Sequence, residues 1–109
     1  MPKYLWQVAY TAQGAQGLQK EGGSGRRKAV QSFIEKAGGQ IESFYYAFGA
    51  SDAFIVADLP DATTAAAISL AVNATGAVRL STTQLMTPED IDVAAKKGID
   101  YRPPGGAQR

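Results

Sequence analysis

Arginine, carboxylate and tyrosine side chains are left to do the chemistry of this chain, because its 109 residues contain no His and no Cys. Losing imidazole excludes Ser–His–Asp hydrolysis, His-ligated haem and His-based zinc or iron sites. Losing thiols excludes disulfides, thiolate nucleophiles, zinc knuckles and iron–sulfur clusters. Carboxylates alone could still hold a cation, but neither a metal nor a cofactor is expected.

Four constellations survive this filter. In Glu21-Gly22-Gly23-Ser24-Gly25-Arg26-Arg27 a flexible loop runs into a helix start that is followed by two arginines. Free amides at a helix start attract anions, and arginine grips phosphate or carboxylate through two hydrogen bonds. Cations so near a helix N-terminus oppose its dipole by up to ~1 kcal/mol, a cost that a bound anion or another chain's carboxylate would offset. The spacing is not that of a Walker loop or a dinucleotide fingerprint. The alternative is that Arg26 or Arg27 pairs with a carboxylate of the acidic middle segment.

Arg79 is the only cation between residues 41 and 95. It either lines a ligand cavity or forms a structural ion pair, with Asp52, Asp58 and Glu42 as nearest partners by strand order. Trp6, Tyr10, Tyr45, Tyr46 and Phe54 could form a pocket for a flat apolar ligand, with phenol hydroxyls as donors; otherwise they are core and interface packing. Asp52 could act as a general base, but an Asp in a turn more often accepts hydrogen bonds from nearby backbone N–H groups.

These residues need elements to hold them. Residues 3–11 read as a strand, being aromatic and β-branched with a period of two. Residues 12–20 suggest a helical turn or two weakened by Gly14 and Gly17. A helix follows with Ser24 as N-cap and Ala29, Val30, Phe33, Ile34 and Ala37 on its buried face, and Gly38-Gly39 ends it. Residues 40–48 and 53–59 read as strands joined by a turn at Gly49-Ala50-Ser51-Asp52. Pro60-Asp61 opens a helix to about Thr75, with Ala65, Ile68 and Val72 on one face. Residues 77–86 read as the fourth strand, and Thr87-Pro88-Glu89-Asp90 starts a short last helix that ends at Gly98. The expected architecture is one α+β domain over residues 1–97, a ferredoxin-like βαββαβ fold with a four-stranded antiparallel sheet, helices on one face and a short C-terminal helix. Residues 98–109 are expected to be a flexible tail.

Strand composition then speaks to assembly. Eight of the ten aromatic residues lie in the predicted strands: Tyr4, Trp6, Tyr10, Phe44, Tyr45, Tyr46, Phe48 and Phe54. Simple alternation puts Ile41, Ser43, Tyr45 and Ala47 on one face of the second strand, with Glu42, Phe44, Tyr46 and Phe48 on the other. The third strand sets Phe54 and Val56 against Ala53, Ile55, Ala57 and Leu59. Helices from the same chain cover one sheet face, so the other is expected to meet a second copy in a homodimer or higher homo-oligomer. Charge is segregated as well: residues 1–40 sum to +4, residues 41–95 to −6 and residues 96–109 to +3, giving the net +1. No basic stripe suggests nucleic-acid binding. Residues 1–7 lack the apolar run of a signal peptide and no stretch approaches the ~20 apolar residues of a membrane span, so no membrane contact and a cytoplasmic location are expected. Asn73-Ala74-Thr75 is then an accidental glycosylation sequon.

Pro2-Lys3-Tyr4, Tyr10-Thr11, Gly14, Gly17-Leu18, Glu21-Gly22-Gly23 with Arg26-Arg27, Gly38-Gly39, Phe44-Tyr45, Phe48-Gly49 with Asp52, Gly76 and Thr87-Pro88-Glu89 together resemble the GYD-domain family over roughly residues 2–95. The resemblance implies the dimeric α/β-barrel arrangement, in which two ferredoxin-like subunits pack sheet against sheet. It implies no settled reaction. The family's naming motif resembles Gly-x-Tyr-Asp, and here Ser51 stands at the Tyr position between Gly49 and Asp52. The leading functional expectation is a small oligomeric ligand-binding or interaction protein with an anion site at Arg26 and Arg27. The alternative, by analogy of fold, is a cofactor-independent monooxygenase- or isomerase-like enzyme acting on small aromatic or quinone-like molecules through Tyr45, Tyr46, Trp6, Arg79 and Asp52. A cavity of roughly a few hundred Å³ with a Tyr hydroxyl and Arg79 converging on it would favour the enzyme.

Overall fold

The computed structural model describes residues 1–106. Strand β1 (Lys3–Tyr10) carries the alternation its sequence predicts: Tyr4, Trp6 and Val8 are buried on one face, and Lys3, Leu5, Gln7 and Ala9 lie on the other. Two helices follow where one and a fragment were expected, α1 (Ala12–Glu21) and α2 (Gly23–Lys36). The glycines do not abolish α1. Its N-cap Thr11 accepts the Gly14 N–H at 3.3 Å and donates to the Gly76 and Ala77 carbonyls at 3.0 Å. A Cβ on Gly14 would lie 1.9 Å from the Ala77 carbonyl oxygen, so only glycine lets the helix backbone dock this closely.

Ser24 is not the N-cap of α2. It lies inside the first turn, and Gly22 at φ +82° forms the elbow, closing α1 and opening α2 with no side-chain cap bond. A residue at positive φ serves there because the chain must reverse within one position. The face of α2 that meets the sheet buries Val30 and Ile34, with Phe33 and Ala37 partly covered, while Ala29 is exposed.

The remaining elements are β2 (Gln40–Tyr46), β3 (Ala53–Asp58), α3 (Ala62–Ala74), β4 (Val78–Leu85) and α4 (Pro88–Ala95). The strands form one antiparallel sheet in the order β2-β3-β1-β4, which is the ferredoxin-like arrangement. Helix α3 is capped by Asp61, whose carboxylate accepts the Thr64 N–H at 2.8 Å, and it buries Ala65 and Ile68. The core lies between helices and sheet around Trp6, Ile34 and Leu59.

Two strand assignments change. β2 ends at Tyr46, so Phe48 is not a strand residue; it sits fully exposed in the connection to β3. A register shift between Ile41 and Ser43 also breaks simple alternation: Ile41 pairs with buried Ala57, and Ser43 pairs with Val56 on the opposite face. A bulge of this kind places two residues against one, so Ile41 joins Phe44 and Tyr46 on the helix side while Glu42 bonds Lys3 from the open side.

The open face presents Leu5, Val56, Phe54, Tyr45 and Leu85 beside the polar Gln7, Ser81, Thr83 and Arg79. Past β4 the chain leaves the body. Thr87 and Asp90 form a capping box that starts α4, none of whose residues is buried. The longest dimension is 59 Å against 30 and 23 Å, and the radius of gyration is 17.7 Å. A compact chain of this length would give about 13 Å. No helix or strand follows α4 up to Gly106, and residues 107–109 of the expected tail lie outside the described residues.

Candidate functional site

Tyr10 closes β1 opposite Val78, the first residue of β4, at the end of the sheet where the α1–α2 elbow also sits. Its backbone N–H donates to the Asp52 carboxylate at 2.8 Å, a bond that ties the β2–β3 connection to the end of β1. The neighbouring Asp52 N–H donates to the Val8 carbonyl at 2.7 Å. Tyr46, at the end of β2, donates its hydroxyl to the Gly23 carbonyl at 3.0 Å and lays its ring against the start of α2, where a Cβ on Gly23 would come within 3.2 Å of it. Arg26 follows in the same helix, with its guanidinium 3.6 Å from the Glu21 carboxylate across the elbow.

The two phenols adjoin. Burial pushes the Tyr10 hydroxyl above its ordinary value of 10.0, and the neighbouring Tyr46 adds to the effect while Arg26 opposes it. Burial likewise raises Tyr46, again against the pull of Arg26. Both are therefore protonated near neutral pH and serve as hydrogen-bond donors rather than as phenolate bases.

Behind them lies a cavity of about 40 Å³ between sheet and helices, walled by apolar side chains such as Val30, Phe33, Phe44 and Ile55, with Trp6 at its wall. Trp6 is 2 % exposed, and its indole N–H has no acceptor among the described residues. The buried Tyr4 hydroxyl is unpartnered as well. In front of the cavity opens a groove of about 610 Å³, floored by α1 and bordered by Thr75 and Ala77. Tyr10, Arg26, Val72 and Val78 border both spaces. The site is thus an apolar chamber with a guanidinium at its mouth.

Of the eight residues singled out from the sequence, Trp6, Tyr10 and Arg26 line this cavity and Tyr46 stands beside them. Asp52 positions Tyr10 through its backbone. Arg27 points elsewhere, along the outer edge of β2 with Gln31 and Tyr45, so the two arginines do not act on one site. Tyr45 is 71 % exposed on the open sheet face. Arg79 also lies on that face, opposite Ala9, and forms no ion pair among the described residues. Its expected partners are taken: Lys3 bridges Glu42 and Asp58, the latter at 2.8 Å, and Asp52 holds Tyr10. Lys3 and Asp58 face each other across β1 and β3, which is why the nearer cation wins. Among the described residues no three Asp or Glu cluster as a metal site, and no helix is long and apolar enough to cross a membrane.

Sequence reading passed over Lys20, took Gly17 only as a weakener of the first helix and a point of family resemblance, and gave Glu21 only a place in the elbow loop, although all three line the groove. The signal was present in Gly17, a glycine inside a helix that carries a propensity cost of about 1 kcal/mol. Nothing lies within 4 Å of the Cβ it lacks, so packing within this chain does not demand it.

No curated protein and no solved structure matches the chain. The GYD-domain family model matches residues 4–95, a span that takes in all four strands apart from Lys3 and both helices flanking the site. The chain belongs to the GYD-domain family.

Proposed function

We propose that this protein is a small oligomeric ligand-binding protein that takes an anionic molecule at Arg26, with no catalysis required. The observation that carries the reading is that Arg26 borders both the apolar cavity and the open groove. A ligand can therefore leave water with its apolar part while its charge stays at the mouth. Tyr10 brings a protonated phenol to the border of both spaces, while Tyr46 beside it already donates its hydroxyl to the Gly23 carbonyl. The enzyme reading has less support: the cavity measures about 40 Å³, the phenols are protonated, and Arg79 stands on the other side of the sheet.

The same proposal includes a second copy of the chain on the open sheet face. Leu5, Phe54, Val56, Tyr45 and Leu85 make an apolar surface there, and Ile91, Val93 and Ile99 are exposed on the arm beyond β4. Monomers rarely leave contiguous apolar surface of this kind bare. A cytoplasmic setting belongs to the proposal too, since a chain without Cys needs no oxidising compartment.

Thermal shift with phosphate and small carboxylates tests the anion site. The melting temperature is expected to rise with ligand concentration, to stop responding in Arg26→Ala, and to respond normally in Arg27→Ala. An unresponsive wild type, or an Arg26→Ala variant that responds like it, contradicts the reading.

A further inference from the structure

We propose that the groove along α1 is the outer half of this site and that its ligand is an unbranched acyl carboxylate bearing a keto oxygen near its far end; this rests on the anion-site reading above. Three observations on different elements converge on it. The first is the size of the inner chamber. At about 40 Å³ it admits a few atoms and excludes a ring; an apolar cavity that binds benzene measures about 150 Å³. What passes between Tyr10, Val72 and Val78 is a slim chain end.

The second is Trp6, whose side chain lines the cavity and whose buried indole N–H has no acceptor among the described residues. A buried donor left unpaired is costly, and an acceptor oxygen delivered by a ligand relieves that cost, which an all-carbon chain cannot do. The third is the floor of the groove. Gly17, Lys20 and Glu21 are spaced three and four residues apart and so share the face of α1 that lines it. Gly14 on the same helix is needed for close packing on Ala77, but Gly17 meets nothing. Gly17 lines the groove, and its missing side chain leaves that space clear. Two cations, Lys20 and Arg26, face one carboxylate, Glu21, so the groove favours a negative head group.

Calorimetric titration of the full chain with hexanoate and 5-oxohexanoate tests the proposal. Wild type is expected to bind the oxo acid roughly threefold to tenfold more tightly, the span of one added hydrogen bond. Trp6→Phe is expected to remove that preference. Gly17→Ala is expected to raise the melting temperature, because the helix loses a glycine without a clash, and yet to weaken binding. Gly17→Leu is expected to weaken it at least tenfold. The two-sided result for Gly17→Ala separates a blocked groove from a damaged fold. Equal affinity for the two acids overturns the keto assignment, and wild-type affinity in Gly17→Leu overturns the groove. Failure of wild type to bind any carboxylate instead overturns the anion-site reading, and this proposal with it.

Discussion

The Asp52 carboxylate accepts the backbone N–H of Tyr10 at 2.8 Å, joining residues 42 apart in sequence. The bond sits where β1 has run past its last pairing with β3 at Val8–Ala53, so Asp52 substitutes for the missing strand partner. It fixes the backbone that carries the Tyr10 ring to the mouth of the cavity.

Asp52→Ala is therefore expected to destabilise the fold by about 1.5–3 kcal/mol, the range for a hydrogen bond to a charged group. Asp52→Asn retains an acceptor oxygen and is expected to cost less than half of that. Urea denaturation checks both; an Asp52→Ala midpoint equal to wild type would refute the clamp.

Gly14 and Gly17 offer opposite outcomes from the same substitution. Gly14→Ala forces a Cβ to within 1.9 Å of a backbone oxygen and is expected to destabilise by about 1–3 kcal/mol. Gly17→Ala meets open space and is expected to stabilise by up to ~1 kcal/mol through helix propensity. Chemical denaturation of the two variants side by side decides the point.

Stability is expected to decline as pH rises past about 10. Lys3, held by the Asp58 and Glu42 carboxylates, is raised above 10.5, and burial raises Tyr10 and Tyr46 above 10.0. A folded-state value above the unfolded one means that the protonated form is favoured by folding. The contribution is complete below the unfolded value and is lost as pH climbs through the folded one. Asp61 behaves in the opposite sense: its bond to the Thr64 N–H lowers it below 3.8, so its contribution is complete above that value and disappears as pH falls through the lowered one. Melting temperatures recorded across the pH range should fall at both ends, and a flat profile between pH 9 and 11.5 would contradict the alkaline limb.

The open sheet face makes a separate prediction. Phe54 and Tyr45 face each other across β3 and β2 in its apolar part. Phe54→Glu is expected to convert an oligomer into a monomer by sedimentation velocity at micromolar concentration, with little loss of helix signal. A wild type that sediments as a monomer would contradict the proposed assembly.

Period and punctuation were enough to place the four strands, α3 and α4, and the period of two read in β1 is the alternation that buries Tyr4, Trp6 and Val8. What escaped was set by contacts distant in sequence. The glycines of α1 look like helix breakers until Ala77 is seen packed against Gly14. The bulge at Glu42 reverses the faces predicted for Ile41 and Glu42, and it goes with the Lys3 bridge from another strand. Arg79 drew attention as a lone cation, but its edge strand lies opposite β2 across the sheet, out of reach of Glu42. Arg26 and Arg27 could not be separated from composition alone, because only the direction of α2 against the sheet decides which one meets Tyr10.

Trp6 is the only tryptophan, so its indole N–H gives a single resonance that reports on the cavity wall alone. Titration of the labelled protein with 5-oxohexanoate while following that resonance reads whether a ligand held by Arg26 reaches Trp6. It is expected to shift saturably in wild type and to stay in place in Arg26→Ala. A resonance that does not move in wild type, or that moves equally in both proteins, would contradict a ligand site at Arg26 and Trp6.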